Sequence, residues 1–345
     1  MAPLRWGILG CGKISSDFVN GLHLAQDAKI VACAARTLET SSAFAKLHGI
    51  PQSYDSYEAL VSDPQVDVVY VGTVHTYHHQ HAILALSHGK HVLVEKPMAM
   101  NQRDATEMVE LAKSKNLFLL EGMWTRFFPA IRRVQELLKS GAIGDVHAVH
   151  SDIGFAFAPD NDRIWLRELG GGGLLDIGIY PLGFVSMAYP GEVPEAIQTA
   201  GRTSDQGVDV YAVVTLQYAK NRYGTIQYSC LANYREETTI IGSKGSIKIQ
   251  TPAHAPTTLS IQISGQAEEI VTYPLPTPAT NAVPFNFGDV AVGLTYEAEA
   301  VTAAIQRGER TCAEYPVTES LFMAGVMDQI RKDLGVVYDA DHKSA

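Results

Sequence analysis

Residues 4–15 read Leu4-Arg5-Trp6-Gly7-Ile8-Leu9-Gly10-Cys11-Gly12-Lys13-Ile14-Ser15, and this stretch predicts a strand, a glycine turn and the start of a helix. Gly10 permits the tight turn, and Gly12 has no Cβ where a pyrophosphate would approach the backbone. The helix beginning at Lys13 and Ile14 would point its unpaired N–H groups at the phosphates. Ser15 stands where the fingerprint usually has a third small residue, glycine or alanine. The strand and helix on either side favour a dinucleotide-binding turn over the alternative, an ordinary glycine loop.

The first third of the chain alternates apolar strands with helices. Such alternation predicts a doubly wound parallel sheet over residues 1–122, a Rossmann domain in the α/β class. After the opening strand, the predicted strands are Ala28–Ala35, Asp67–Thr73, His91–Val94 and Leu117–Leu120. The predicted helices are Thr40–His48, Gln80–Ser87 and the segment from Asn101, its N-cap, to Ser114, and a further helix is predicted from Pro129 to Ser140.

Beyond Gly144 the pattern changes to strands that follow one another without intervening helices. This pattern predicts a large, mostly antiparallel open sheet in an α+β domain, residues 123–345, that binds substrate and forms a dimer. Its predicted helices are Leu174–Met187, Thr295–Gln306 and Val317–Lys332, and Pro274–Pro284 is predicted to be a loop. The predicted strands are Val146–Phe157, Ala196–Thr203, Asp209–Tyr218, Tyr223–Leu231, Thr238–Ile241, Ser246–Gln250, Leu259–Ile263 and Glu269–Tyr273.

Composition narrows the class of protein. A chain of 345 residues is long enough for two domains, and its formal charge of −10 argues against nucleic acid or an anionic membrane as partner. The four cysteines form no CxxC pair and are typical of a reducing compartment. The chain opens directly into a strand, and no run of 18 apolar residues occurs. We therefore expect a cytoplasmic protein.

The tip of the second strand bears on which dinucleotide binds. NAD sites usually place a carboxylate there, about 20 residues past the glycines, to bind the ribose hydroxyls. This chain has Ala35-Arg36-Thr37 instead, and Glu39 would lie a turn into the helix. Because arginine can bind a 2′-phosphate with two N–H groups, Arg36 favours NADP over NAD. The alternative is a solvated arginine at a strand end.

Glu95-Lys96-Pro97 closes the fourth predicted strand. Ligands of open α/β sheets bind outside the carboxyl ends of the strands, so Lys96 is expected to point into the crevice that holds the nicotinamide. Its ammonium could donate to a substrate hydroxyl and lower the pKa of a neighbouring phenol. Pro97 is a candidate for a cis turn. A plain lysine at a strand edge is the alternative.

A second group of polar side chains follows four consecutive glycines, Gly170 to Gly173. Asp176 and Tyr180 are four residues apart and would share one face of a helix, although Pro181 could kink it. The glycines would let this segment press against the cofactor. Tyr180 is then a candidate acid–base group, with Lys96 lowering its pKa and Asp176 orienting the pair. A buried structural tyrosine is the alternative.

Several segments together resemble the glucose–fructose oxidoreductase/inositol dehydrogenase (Gfo/Idh/MocA) family over essentially the whole length. They are Arg5-Trp6-Gly7-Ile8, Ala35-Arg36, Tyr70-Val71-Gly72-Thr73-Val74-His75, Glu95-Lys96-Pro97, Trp124-Thr125-Arg126-Phe127-Phe128-Pro129 and the block Asp176–Tyr180. Within the family the chain looks most like the dihydrodiol and NADP-dependent D-xylose dehydrogenases. Many members have histidine where Tyr180 stands.

The resemblance implies catalytic roles for Lys96, Asp176 and Tyr180. It also implies that Thr73, His75 and His78 contact the cofactor, together with the Glu95–Lys96 turn, and that Trp124, Arg126 and Phe127 line the substrate pocket with Asp176 and Tyr180. The aromatic cluster could instead be a domain-junction core. We expect no metal at the histidine run His75, His78, His79 and His81, because no carboxylate accompanies it and hydride transfer needs none.

The reaction expected from these residues is hydride transfer from a sugar or diol carbinol to NADP, with NAD a weaker cofactor. An NADPH-dependent reductase of an anhydro- or keto-sugar is the first alternative. A non-catalytic cofactor-sensing regulator is the second, although relatives of that kind typically have a broken catalytic set. The expected partners are a small-molecule substrate and a second copy of the chain, bound through the C-terminal sheet.

Overall fold

The computed structural model describes residues 2–278 and 283–342. These residues form two compact units, each built from several segments of chain. The first consists of Met1–Ala99, Arg103–Phe127 and Leu275–Ser320, and the second of Met100–Gln102, Phe128–Pro274 and Leu321–Ala345. The division predicted at residues 122 and 123 therefore differs from the structure, because Leu275–Ser320 returns to the first unit.

The first unit contains a six-stranded sheet in the order β3-β2-β1-β4-β5-β6, and every pair is parallel. This is the strand order of a doubly wound dinucleotide-binding sheet, as predicted. The central strand β4 is buried at every position, as a strand covered on both faces must be. The strands are β1 (Leu4–Leu9), β2 (Ala28–Ala34), β3 (Gln52–Tyr54), β4 (Val68–Val71), β5 (His91–Glu95) and β6 (Leu119–Gly122).

Helices connect these strands. They are α1 (Lys13–Leu22), α2 (Leu38–His48), α3 (Tyr57–Ser62), α4 (His78–Ser87) and α5 (Gln102–Ser114). The sequence prediction missed β3 and α3, since three half-exposed residues and a six-residue helix show little periodicity. One local signal was present, because the hydroxyl of Ser56 caps α3 by accepting from the Ala59 N–H at 3.1 Å.

The returning segment is fastened to α1. The carboxylate of Asp17 accepts the backbone N–H groups of Asn286, at 2.8 Å, and Phe287, at 2.9 Å. Helix α9 (Leu294–Gln306) packs against α1 so closely that a Cβ on Gly21 would lie 2.9 Å from the backbone nitrogen of Thr295. These contacts explain why this part of the chain belongs with the parallel sheet.

The second unit contains an eight-stranded sheet in the order β14-β13-β12-β11-β7-β10-β9-β8. Only the pair β7–β10 is parallel, so the predicted, mostly antiparallel open sheet is confirmed. The strands are β7 (Val146–Gly154), β8 (Ala196–Thr203), β9 (Asp209–Tyr218), β10 (Arg222–Ser229), β11 (Thr238–Gly242), β12 (Gly245–Ile249), β13 (Thr258–Ile263) and β14 (Glu269–Thr272).

Helices cover one face of this sheet. Helix α8 (Ile179–Ala188) packs on β7 and β10 and is buried at every position. The other helices are α6 (Pro129–Lys139), α7 (Asp162–Trp165) and α10 (Val317–Leu334). The stretch Arg167–Ala188 is long and apolar enough to cross a membrane, but its most apolar 18 residues are buried inside the protein, as in a core helix. Of the predicted loop 274–284, residues 279–282 lie outside the described part of the chain.

Candidate active site

The glycine turn leaves an open approach to the backbone. Gly10 has φ +96°, and a Cβ there would lie 2.8 Å from the side chain of Thr73. Gly12 is extended, with φ −92° and ψ −176°, and the nearest atom to a Cβ built on it is the carbonyl oxygen of Gly72 at 3.9 Å. The space beside Gly12 at the start of α1 therefore fits a pyrophosphate.

Ser15 is accommodated by a glycine on another strand. A Cβ on Gly72 would collide with the hydroxyl oxygen of Ser15, which lies 3.4 Å from the Gly72 carbonyl oxygen. In the usual fingerprint a small third residue lets the helix approach the strand closely. Here Ser15 stands at that position, and the small residue that permits the approach is Gly72 on the strand side. The departure at Ser15 does not disturb the turn.

Arg36 follows β2 and is exposed, with no carboxylate at the strand tip. Thr37 caps α2, because its hydroxyl accepts the N–H of Thr40 at 3.2 Å. Burial raises the pKa of Tyr57, and the positive charge of Arg36 acts in the opposite direction. A guanidinium near this strand end is the arrangement that a ribose phosphate would require.

His78 connects the ends of two neighbouring strands. Its Nδ1 lies 2.8 Å from the carbonyl oxygen of Pro97, and its Nε2 lies 2.9 Å from that of Thr73. Burial lowers the pKa of His78 to about 4, so the ring is neutral near pH 7 and donates only one of these bonds. His75 begins the short 3-10 turn before α4, and it is also buried. The structure gives His78 a positioning role, and its contact with a cofactor stays a prediction.

The turn that carries Lys96 is held by a buried carboxylate. The Tyr70 hydroxyl donates to Oε1 of Glu95 at 2.7 Å, and the backbone N–H of Lys96 donates to Oε2 at 3.2 Å. Burial raises the pKa of Glu95, while the bond from Tyr70 and the charge of Lys96 oppose this rise. The Lys96–Pro97 bond is cis. Both oxygens of Glu95 are used inside the protein, so this residue positions Lys96.

A second buried carboxylate, Glu121 at the end of β6, supports the same turn. It accepts the N–H of Met98 at 2.7 Å and the hydroxyl of Tyr315 at 2.9 Å. Neither Tyr70 nor Glu121 was predicted. The available signal was an acidic residue inside an otherwise apolar strand.

The Trp124–Phe127 segment forms a buried 3-10 turn in the first unit. The guanidinium of Arg126 donates to both carboxylate oxygens of Glu319, at 2.6 and 3.2 Å, and lies over the ring of Tyr315. Phe127 is fully buried, and 9% of Trp124 is exposed. These observations favour a packing role for Arg126 and Phe127, and their substrate contacts stay predictions.

In the second unit, Asp176 forms an ion pair with Arg163. The guanidinium of Arg163 contacts one carboxylate oxygen through Nη1 and donates to the other from Nη2 at 3.0 Å. Burial disfavours the charge of Arg163, but the Asp176 carboxylate and, more weakly, the Tyr180 phenol outweigh it and raise its pKa. Sequence reasoning missed Arg163, because nothing local marks a partner 13 residues away in the short helix α7.

Tyr180 lies in the first turn of α8, directly after a π-helical turn, Leu174–Gly178, that contains Asp176. Pro181 has no N–H, so it cannot form the regular helical bond to the carbonyl of Ile177, and the helix widens here. Tyr180 is 8% exposed, and its ring lies 5.5 Å from that of His254. The two predicted residues, Asp176 and Tyr180, therefore lie in one short helical segment.

The glycines before this segment pack against protein atoms. Gly172 has φ +119°, and a Cβ there would collide with Asp209, whose carboxylate accepts the N–H of Leu174 at 2.6 Å. A Cβ on Gly173 would lie 2.7 Å from the ring of Tyr228. The glycines therefore allow tight packing within the second unit, and the approach of this segment to the cofactor stays a prediction.

Within residues 2–278 and 283–342, no group of three or more His, Cys, Asp or Glu side chains is placed to hold a metal ion. The histidine run makes protein contacts instead. Nδ1 of His81 lies 3.0 Å from the hydroxyl of Thr73, and Nε2 of His79 lies 2.9 Å from a carboxylate oxygen of Glu107.

A parallel doubly wound sheet with an open glycine turn defines a dinucleotide-binding domain, and the same chain also contains a large, mostly antiparallel open sheet. Residues 4–123 match the model of an oxidoreductase family with an NAD-binding Rossmann fold, GFO/IDH/MocA, and residues 131–248 match the model of the GFO/IDH/MocA C-terminal domain. The chain belongs to the Gfo/Idh/MocA oxidoreductase family, and the predicted enzyme class is confirmed.

Proteins named trans-1,2-dihydrobenzene-1,2-diol dehydrogenase are similar along the whole chain. The Danio rerio protein is 40% identical over 98% of this chain and 99% of its own length. The Homo sapiens protein is 37% identical over 99% of both.

Two solved structures share the fold. Levoglucosan dehydrogenase in complex with NADH and levoglucosan superposes with a TM-score of 0.84 at 20% identity, covering 96% of this chain and 97% of the other. KijD10, a 3-ketoreductase from Actinomadura kijaniata in complex with NADP and TDP-benzene, superposes with a TM-score of 0.79 at 23% identity and the same coverage.

The open approach to Gly12 predicts a selective effect of Gly12→Val. Valine adopts the extended conformation of Gly12 easily, and a Cβ there meets no atom closer than 3.9 Å, so thermal stability should change little. The added methyl groups would fill the space assigned to the phosphates, and NADPH affinity should fall at least about tenfold. Fluorescence titration and thermal unfolding test this together. A variant that binds NADPH as tightly as the wild type would remove the phosphate site from the glycine turn.

Proposed function

We propose that this protein is an NADP-dependent dehydrogenase that oxidises a carbinol of a trans-dihydrodiol or of a pyranose such as D-xylose at C1. The observation that carries the proposal is the placement of Tyr180 directly after the turn that contains Asp176, whose ion-pair partner Arg163 interacts electrostatically with the Tyr180 phenol. The substrate class is supported by the full-length similarity to relatives named as dihydrodiol dehydrogenases.

In the proposed mechanism Tyr180 takes the hydroxyl proton of the substrate. The positive charge of Arg163 favours the phenolate, and Asp176 holds that guanidinium in place. Lys96, whose backbone is fixed by Glu95, donates to the substrate oxygen and stabilises its developing negative charge. A nicotinamide, when bound, supplies the hydride acceptor. In the reverse direction, reduction of a ketone or lactone, the same residues return the proton.

The preference for NADP is proposed on Arg36. Arg36 is exposed and lies two residues after the end of β2. Residues Ala35 to Leu38 include no carboxylate that would repel a 2′-phosphate. Arginine binds phosphate through charge-assisted hydrogen bonds.

We also propose a homodimer formed through the sheet of the second unit, in the cytoplasm. The strand register places Val213, Tyr223 and Ile241 on one sheet face, and they are 43%, 38% and 37% exposed. Apolar side chains on an open sheet suit a second copy. The cytoplasmic location is supported by the four cysteines, all free thiols.

Lys96→Met tests the catalytic role of the lysine. Wild-type enzyme should reduce NADP in the presence of at least one of a trans-dihydrodiol, D-xylose or D-glucose. The kcat of the variant should fall about a hundredfold or more, because the substitution removes the ammonium that stabilises the negative charge of the transition state. Its affinity for NADPH should stay within about threefold of that of the wild type. The exposed Lys113→Met serves as the matched control. Absence of activity on the whole panel would refute the proposed function, and an active variant would refute the role of Lys96.

Arg36→Ala tests the cofactor preference. Loss of a charge-assisted phosphate contact should raise the KM for NADP by about tenfold to a hundredfold and leave that for NAD within about twofold. Lys46→Ala, a loss of positive charge from an exposed site on α2, is the control. Equal changes for both cofactors would contradict the assignment of Arg36 to the 2′-phosphate.

A further inference from the structure

A histidine outside the predicted site contacts Tyr180. His254 lies in the connection between β12 and β13, and its ring centre is 5.5 Å from that of Tyr180, with the planes inclined by 47°. About 19% of the His254 side chain is exposed, whereas Tyr180 is almost fully buried. His254 therefore adjoins both the candidate acid–base group and the protein surface.

The ring of His254 is oriented by a buried carboxylate. Glu236 contacts Nδ1 of His254 through Oε1, and the same oxygen accepts the backbone N–H of His254 at 3.3 Å. Because Nδ1 faces a carboxylate, the proton resides there, and Nε2 has the lone pair.

Glu236 occupies this place at a conformational cost. Its φ is +60°, a value that residues other than glycine rarely adopt. Contacts with surrounding residues are needed to maintain such a backbone conformation. Asp152 accepts its N–H at 3.0 Å, and the Ala253 N–H donates to its carbonyl oxygen at 3.1 Å. The hydroxyl of Thr251 donates to the carbonyl of Arg235 at 2.6 Å. The two loops that carry Glu236 and His254 are thus fastened together next to Tyr180.

We propose that His254, oriented by Glu236, is a positioning and proton-relay residue that carries the proton of Tyr180 to solvent. The inference rests on the proposed function, in which Tyr180 is protonated by each substrate hydroxyl. The Tyr180 O–H bond breaks as an Nε2–H bond forms on His254, with no change of oxidation state. The imidazolium then releases its proton to water, and Tyr180 is again a phenolate for the next turnover.

Other charged groups face this relay. Arg163 and Asp176 act on Tyr180 from the preceding turn, and the Cys230 thiol adjoins that ion pair. Asp152 lies behind Glu236. In the proposed mechanism the Arg163 guanidinium favours the phenolate, and the Glu236 carboxylate contacts Nδ1 of His254.

His254→Phe is the central test, because phenylalanine keeps the aromatic packing and removes the relay nitrogen. We expect kcat for oxidation at pH 7 to fall at least about tenfold, with both KM values within about twofold. The deficit should shrink as pH rises, and added imidazole should restore part of the rate. His88→Phe is the matched control, since Nε2 of His88 contacts Glu58 at 2.8 Å in the first unit. A structural role alone would give neither the pH dependence nor the rescue.

Glu236→Gln provides a second, independent measurement. It retains the shape of Glu236 and removes the charge, so kcat should fall by a smaller factor than in His254→Phe. The His254 NMR signal, identified as the histidine signal that changes when Glu236 is replaced by glutamine, should report the Nδ1–H form in wild-type enzyme and a mixture of tautomers in Glu236→Gln. This pair of results decides the matter if His254→Phe does not fold.

The outcomes separate the relay from the proposed function. Wild-type enzyme without activity on any alcohol would refute the proposed function. Active wild-type enzyme, with His254→Phe or Glu236→Gln turning over at the wild-type rate at every pH, would overturn the relay alone.

Discussion

The ion pair between Arg163 and Asp176 is the interaction on which the proposed chemistry depends. Asp176 is buried in a π-helical turn, where an unpaired carboxylate would be costly, and the guanidinium satisfies both of its oxygens. The same guanidinium acts on Tyr180. The pair therefore stabilises the segment that carries the phenol.

In each of the two units, buried carboxylates hold the main chain beside candidate site residues. In the first unit, the buried carboxylates of Glu95 and Glu121 accept backbone N–H groups on either side of the cis Lys96–Pro97 bond. These hydrogen bonds fix the path of the turn. In the second, glycines allow Asp209 to approach the start of the π-helical turn. In both cases a buried acid accepts main-chain N–H groups, which explains why acids occur among apolar residues.

The sequence predicted what local patterns encode. Strand and helix alternation revealed the parallel sheet, and the run of strands beyond Gly144 revealed the open sheet. The return of Leu275–Ser320 to the first unit was missed, because its cause is a tertiary contact of Asp17 and Gly21 with residues more than 260 positions away. Short elements such as β3 were missed because they are half exposed and lack a clear period.

Part of the candidate site follows from sequence motifs. Gly10, Gly12, Lys96, Asp176 and Tyr180 belong to recognisable motifs. Arg163, Glu236 and His254 do not, since each is defined by a partner brought near by folding. The glycine block was recognised from its sequence, and the structure adds the close packing of Gly172 and Gly173 against Asp209 and Tyr228.

Tyr180→Phe tests the central claim most directly, because it removes one hydroxyl and keeps the ring. If this phenol is the proton acceptor, kcat for oxidation should fall by about a hundredfold to ten-thousandfold, with NADPH binding unchanged in a fluorescence titration. Turnover within a few-fold of wild type would contradict the assignment.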